Sequence, residues 1–223
     1  MGGIRSKKDQ ITELVILITL LILSFFLWDS FIVYPIKLCV VLLHELSHAA
    51  AAFISGGEIS EMNIGYDLGG KCVTEGGNQI LIASSGYLGS LFWGLLLFLS
   101  PNNKKIGFWI INSISAIILL ISISAGTNTV FIFLAVILSA MLTVSSFYLR
   151  IPIITILIRA FGLIGCVYLL FDIKDDLFSS AVQISDATIL ADIISVPVSV
   201  IGITWALISI LGIYLAMRFS YKR

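Results

Sequence analysis

Long apolar runs dominate this chain and leave it one kind of solvent. Seven can be drawn, at about 11–28, 31–54, 80–99, 106–123, 129–149, 152–171 and 187–217. A helix needs about 20 apolar residues to cross a hydrocarbon layer of about 30 Å. Hydrophobic residues fill 59% of the 223 positions and charged residues only 12%, against about 25% charged in a soluble domain. One soluble core cannot hide that much apolar surface, so the chain belongs in a bilayer. The expected fold is an all-α polytopic integral membrane protein of about six to seven transmembrane helices. No internal repeat or low-complexity linker divides residues 1–223, which are expected to form one domain.

The breaks between runs carry their own information. Residues 55–79 are glycine-rich, with polar and apolar residues alternating around Lys71-Cys72-Val73-Thr74, a pattern that suits either a hairpin or a plain loop. The last run is too long for one straight crossing, because 31 residues rise about 46 Å. Pro197 is expected to kink it, and the part before it to lie shallow or partly embedded. Arg5, Lys7 and Lys8 precede the first run, and no small-residue cleavage site precedes Trp28-Asp29, so an uncleaved first span is expected. Met1-Gly2-Gly3 fits a loose myristoylation pattern, which a spanning protein does not need. That basic cluster argues for a cytosolic start. Seven alternating spans then put Lys104, Lys105, Arg150, Arg218, Lys222 and Arg223 outside, so the count of cations nearly balances.

A formal net charge of zero offers nucleic acid no basic face. Cys39, Cys72 and Cys166 have neither zinc-ribbon nor redox spacing and read as small buried hydrophobes. The chemistry lies in the second run, where His44-Glu45-Leu46-Ser47-His48 holds both histidines of the protein. On a helix they stand one turn apart on one face, so two imidazoles reach a single metal while Glu45 points to neighbouring water. Neutral imidazole suits zinc, and Glu45 is placed as general base. A carboxylate inside a span is costly and marks function. Lys37, seven residues earlier, either lines the cavity or snorkels towards the headgroups. In the next run Gly86, Ser90 and Gly94 form a small-residue stripe, read as the surface on which the histidine helix rests.

A catalytic zinc site needs a third protein ligand, and the chain has no third histidine. Asp172, Asp175, Asp176, Asp186 and Asp192 are the candidates. Four crossings separate loop 55–79 from Asp172, so 171–176 and 185–187 return to the face by which the histidine helix leaves. Asp186 opens the last helical segment beside small Ala187 and is the preferred ligand, with the earlier aspartates still open. The competing role for Ser185 or Asp186 is to cap that helix.

These residues resemble the site-2 protease family of intramembrane zinc metallopeptidases, in its short-core branch without a PDZ domain. The resemblance rests on Tyr34-Pro35-Ile36-Lys37, His44 to Ala49, the Gly56-Gly57 and Glu75-Gly76-Gly77 turns, Gly86-Tyr87-Leu88-Gly89, Asp172 to Asp176, and Ser185 to Ala191. It covers about residues 30–205. Where better-known members have an L-D-G motif, this chain has Ser185-Asp186-Ala187. The resemblance implies a membrane-anchored protein substrate, cut within or beside its transmembrane segment. An exposed strand edge in 55–79 would hold such a peptide extended. A different class of function is a membrane metal-ion carrier, which spreads polar ligands over several helices. A third is a non-cleaving zinc-binding protein of the same fold.

Overall fold

A computed structural model describes residues 6–28, 30–65, 68–124, 129–178 and 185–221, apart from the side chains of 124, 130–131 and 169–178. The helices are α1 (Lys7–Phe26), α2 (Tyr34–Ile54), α3 (Gln79–Leu99), α4 (Lys104–Ser124), α5 (Thr129–Phe147), α6 (Pro152–Phe178), α7 (Asp186–Ile194) and α8 (Val198–Tyr221). Strands β1 (Glu58–Ile64) and β2 (Gly70–Glu75) form an antiparallel hairpin between α2 and α3, with Glu58 opposite Glu75 and Ile64 opposite Gly70. Stretches in α1, α2, α3 with the 3-10 turn that follows it, α4 and α8 are long and apolar enough to cross a membrane. Shorter apolar stretches, Ile132–Phe147 and Pro152–Tyr168, lie in α5 and α6. Residues 1–5, including the glycines of the myristoylation pattern and Arg5, lie outside the described residues.

Close packing of α3 organises the bundle. A methyl group placed on Gly94 would meet the Gly162 carbonyl of α6 at 2.6 Å, and one on Gly89 would meet Ser47 Oγ of α2 at 2.0 Å. Small residues admit this approach where lipid supplies no hydrophobic drive between helices. The stripe is thus shared: Gly86 and Ser90 face the histidines of α2, while Gly94 packs on α6 rather than on the histidine helix.

The contacts also fix helix direction. Ser55 Oγ accepts from the Asn78 amide, joining the end of α2 to the start of α3. At the other end of the bundle, Arg159 of α6 bonds Glu13 of α1 and Asn102 after α3, while Tyr221 of α8 donates to Glu13. α1 therefore starts where α3 ends, and α1 and α2 run the same way. Turns at Leu27–Trp28 and Ser30–Val33 lie between them. This corrects the alternating order of seven spans, in which α1 and α2 would be antiparallel.

The hairpin returns into the bundle. Its base lies at the α2–α3 junction, whereas Ile64 and Leu68 near its tip are buried with Leu38, Val41 and Leu42 of α2. Strands at such depth need their backbone groups paired or facing a wet cavity, and pairing plus a cleft supplies both. The segment 187–217 is broken, not merely kinked. α7 ends at Ser195 in the left-handed region (φ 57°), and Pro197 precedes α8. The ligand-bearing helix expected over about 186–217 is accordingly two helices.

The Glu13–Arg159 pair was not singled out in the sequence, although each is a charge inside an apolar run. Both are buried, and Arg159 also packs on the Phe98 and Tyr221 rings. Removing one partner strands a buried charge, which costs about 3–5 kcal/mol, whereas an apolar replacement of both does not. Glu13→Ala should therefore lower the unfolding midpoint in detergent markedly, and Glu13→Leu with Arg159→Met should restore most of it. An unchanged midpoint in the single variant would show that the pair contributes nothing.

Candidate metal centre

Two turns of α2 bring both imidazoles to one side. His44, Glu45 and His48 are all buried, and the two Nε2 atoms lie 3.1 Å apart. Asp186 Oδ2 stands 2.9 Å from each of them. The three ligand atoms thus form a triangle of about 3 Å edge, the spacing that bonds near 2 Å produce around a tetrahedral metal.

Neighbouring groups set the protons. His48 Nδ1 lies 2.7 Å from the Ile82 carbonyl, an acceptor only, so Nδ1 holds the proton and Nε2 presents a lone pair. Ser90 Oγ donates to the Gly86 carbonyl at 3.0 Å, leaving its lone pair for the His44 Nδ1–H at 3.4 Å. Both Nε2 atoms then point bare at a carboxylate oxygen. Three acceptors facing one another without a proton repel, and a bound cation removes that repulsion. The donor set, two imidazoles and a carboxylate, fits zinc. Space is reserved as well, since a methyl on Gly86 would come within 2.4 Å of His48 Nε2 and 2.5 Å of His44 Nε2.

Asp186 reaches this point because another residue caps its helix. Ser185 is the N-cap of α7, accepting from the Thr188 amide, while Thr188 Oγ1 accepts from the Ser185 amide. The cap is complete without the aspartate, whose carboxylate is left for the imidazoles. Ala187, 1% exposed, packs with Ala83 and Tyr87 of α3, the close approach expected of a small side chain. Tyr87 sets its ring edge-on to His44 at 5.0 Å and is backed by Trp205 of α8. Asp192 is exposed and apart from the group. Asp172, Asp175 and Asp176 occupy the last turns of α6, where their side chains lie outside the described residues.

A cleft of about 760 Å³ contains the group. It extends from Lys37 past Glu45 to Thr74 and Gln79 at the bundle end, so Lys37 lines it; its ammonium sits 5.4 Å from the Trp28 ring. Gly70 was missed in the sequence. A methyl there would fall 2.0 Å from Glu45 Oε1, so the bare strand backbone lies directly on the carboxylate. Cys39 and Cys166 are buried as expected, but Cys72 is only partly so and lines the cleft. Burial, then the Glu45 and Asp186 carboxylates, push its thiol up to about 11. It is not part of the group formed by His44, His48 and Asp186.

A family model described as Peptidase M50B-like matches residues 17–216. Among curated proteins and among solved structures, none matches the chain.

Purified protein should hold about one zinc ion per chain, the complement of a three-ligand site. Metal analysis should show its loss in His44→Ala, His48→Ala and Asp186→Ala, and its retention when Asp175, Asp176 or Asp192 becomes alanine. Full occupancy in Asp186→Ala with loss at the α6 aspartates would move the third ligand to α6.

Proposed function

The chain belongs to the site-2 protease family, and from that premise we propose that it is an intramembrane zinc metalloprotease. Its substrate in this reading is a membrane-anchored protein, cut in or near the transmembrane segment. The observation that carries the reading is the convergence of His44, His48 and Asp186, with Glu45 buried on the same turn and a cleft running past all four.

His44, His48 and Asp186 would hold the zinc, which would supply Lewis acidity towards water and a peptide carbonyl. The protein's own groups do the rest. Ile82 and Ser90 hold the two imidazoles in the tautomer that keeps Nε2 unprotonated. Asp186 brings negative charge to a poorly solvating site, which lowers the cost of a divalent cation there. Glu45 accepts a proton from the attacking water and passes it to the leaving amine. Its carboxylate is confined between α2 and the Gly70 backbone. The outer side of β2, along Gly70 to Thr74, lines the cleft and offers an edge on which an unwound substrate segment is held extended.

A metal carrier needs successive ligand sets along a path. Among the described residues a single group of histidine, cysteine and carboxylate side chains is placed to hold an ion, which favours the protease reading.

Glu45→Gln should retain zinc yet lose about 10²–10⁴-fold in cleavage of a tethered single-span substrate, the usual contribution of a positioned base. Cleavage at the wild-type rate would refute the role of Glu45, and zinc transport into vesicles without proteolysis would favour a carrier. Gly70→Ala should behave in the same sense: zinc content unchanged, turnover reduced, because the added methyl displaces the Glu45 carboxylate and touches no ligand. Wild-type turnover in Gly70→Ala would show that β2 does not position Glu45.

A further inference from the structure

We infer that the cleft faces away from the cytosol, so that this chain acts on membrane proteins whose scissile bond lies in the non-cytosolic half of the bilayer. The substrate part rests on the protease reading above; the orientation does not.

The two ends of the bundle differ in charge. One end collects the start of α1, the α3–α4 and α5–α6 connections and the end of α8, tied together by Glu13, Asn102, Arg159 and Tyr221. It carries Lys7, Lys8, Lys104, Lys105, Arg150 and Arg218. The only acid there among the described residues, besides the buried Glu13, is Asp9. The other end collects the hairpin, the start of α3, the end of α6 and α7. Its cations are Lys71, paired at 3.0 Å with Glu61, and Lys174 on the last turns of α6. Lys37, in the first turn of α2 on the cation-rich side, points into the cleft and is left out of the comparison.

Short connections rich in lysine and arginine stay on the cytosolic side. The near balance of the sequence count came from assuming that α1 and α2 run oppositely. Because they run the same way, the basic start of α1 joins the other cations instead of opposing them. A count that was close becomes six against two. The metal group lies nearest the cation-poor end: His48 is six residues, about 9 Å of helix, from the end of α2. Gln79 at the start of α3 and Thr74 on the hairpin line the cleft towards that same end. Water and the extended substrate segment therefore enter from the non-cytosolic side.

Cysteine labelling of the full chain in intact, right-side-out cells tests this. Cys39 and Cys166 are buried, so only Cys72→Ser is needed as background. Glu58→Cys marks the hairpin base, and Tyr148→Cys marks the α5–α6 connection; both positions are exposed. A membrane-impermeant maleimide should label Glu58→Cys in intact cells and Tyr148→Cys only after the membrane is permeabilised. The reverse pattern, or equal labelling of both in intact cells, would overturn the orientation. Zinc content and cleavage of a tethered substrate are measured on the unsubstituted chain. A cleaving chain with reversed labelling sinks the orientation alone, and a non-cleaving chain with the expected labelling sinks the protease reading alone.

Discussion

Everything at the metal centre depends on how closely α3 approaches α2. At Gly86 there is no room for even a methyl beside the two Nε2 atoms, and at Gly89 none beside Ser47. That proximity lets the Ile82 carbonyl and Ser90 hydroxyl of α3 hold the outer nitrogens of the α2 imidazoles. It also brings α7, seated on Ala83 and Tyr87, within reach of the same point. Glycine is a poor helix former in water. In a bilayer the alternative for a polar side chain is hydrocarbon, and the packing gained by a missing side chain outweighs the lost propensity.

The bundle keeps its polar chemistry at two levels. Near one end, two imidazoles and two carboxylates face a cleft walled by a returning hairpin. Near the other, Glu13 and Arg159 neutralise one another with help from Asn102 and Tyr221. The first set is left with lone pairs that only a cation can satisfy, which is the mark of a binding site. The second is nearly closed on itself, the Arg159 Nε being its one unpartnered atom, which is the mark of a structural joint. Between the levels, α3, α4 and α5 hold apolar residues with serine and threonine hydroxyls bonded to helix carbonyls: Ser122 turns back on Ile118 of its own helix, while Ser115 donates across to Ser139 of α5.

Much of this was legible from residue spacing, and the failures have physical causes. Two histidines one turn apart lie on one helix face whatever surrounds them, so their pairing needed no tertiary information. The parity of crossings after the hairpin put Asp186 on the same end as the histidines, because that stretch of chain does alternate. Parity failed at α1, which is followed by short-range turns at Leu27–Trp28 and Ser30–Val33 that hydropathy does not register. The competition between capping and ligation at Ser185-Asp186 was undecidable from composition, since serine and aspartate both cap well. The structure assigns the cap to Ser185 and leaves Asp186 facing the imidazoles. Gly70 was invisible because its meaning lies in what it touches. Glu13 and Arg159 gave a readable signal, opposite charges within two apolar runs, and their pairing across 146 positions is what remained hidden.

In the protease reading, the returning hairpin resolves a difficulty that any hydrolase in a bilayer faces. Hydrolysis needs water and an extended peptide, and hydrocarbon excludes the first and penalises the second through unpaired amides. A strand pair lowered into the bundle answers both requirements. Its inner residues, Ile64 and Leu68, seal against α2, while Lys71, Cys72 and Thr74 line the cleft with groups that tolerate water. The free edge of β2 offers the amide partners that a substrate loses when its helix unwinds. The same strand brings Gly70 against Glu45, so the element that would hold the peptide also fixes the base. In the protease reading, binding and chemistry are thereby coupled through one piece of backbone, and a change in hairpin register displaces both together.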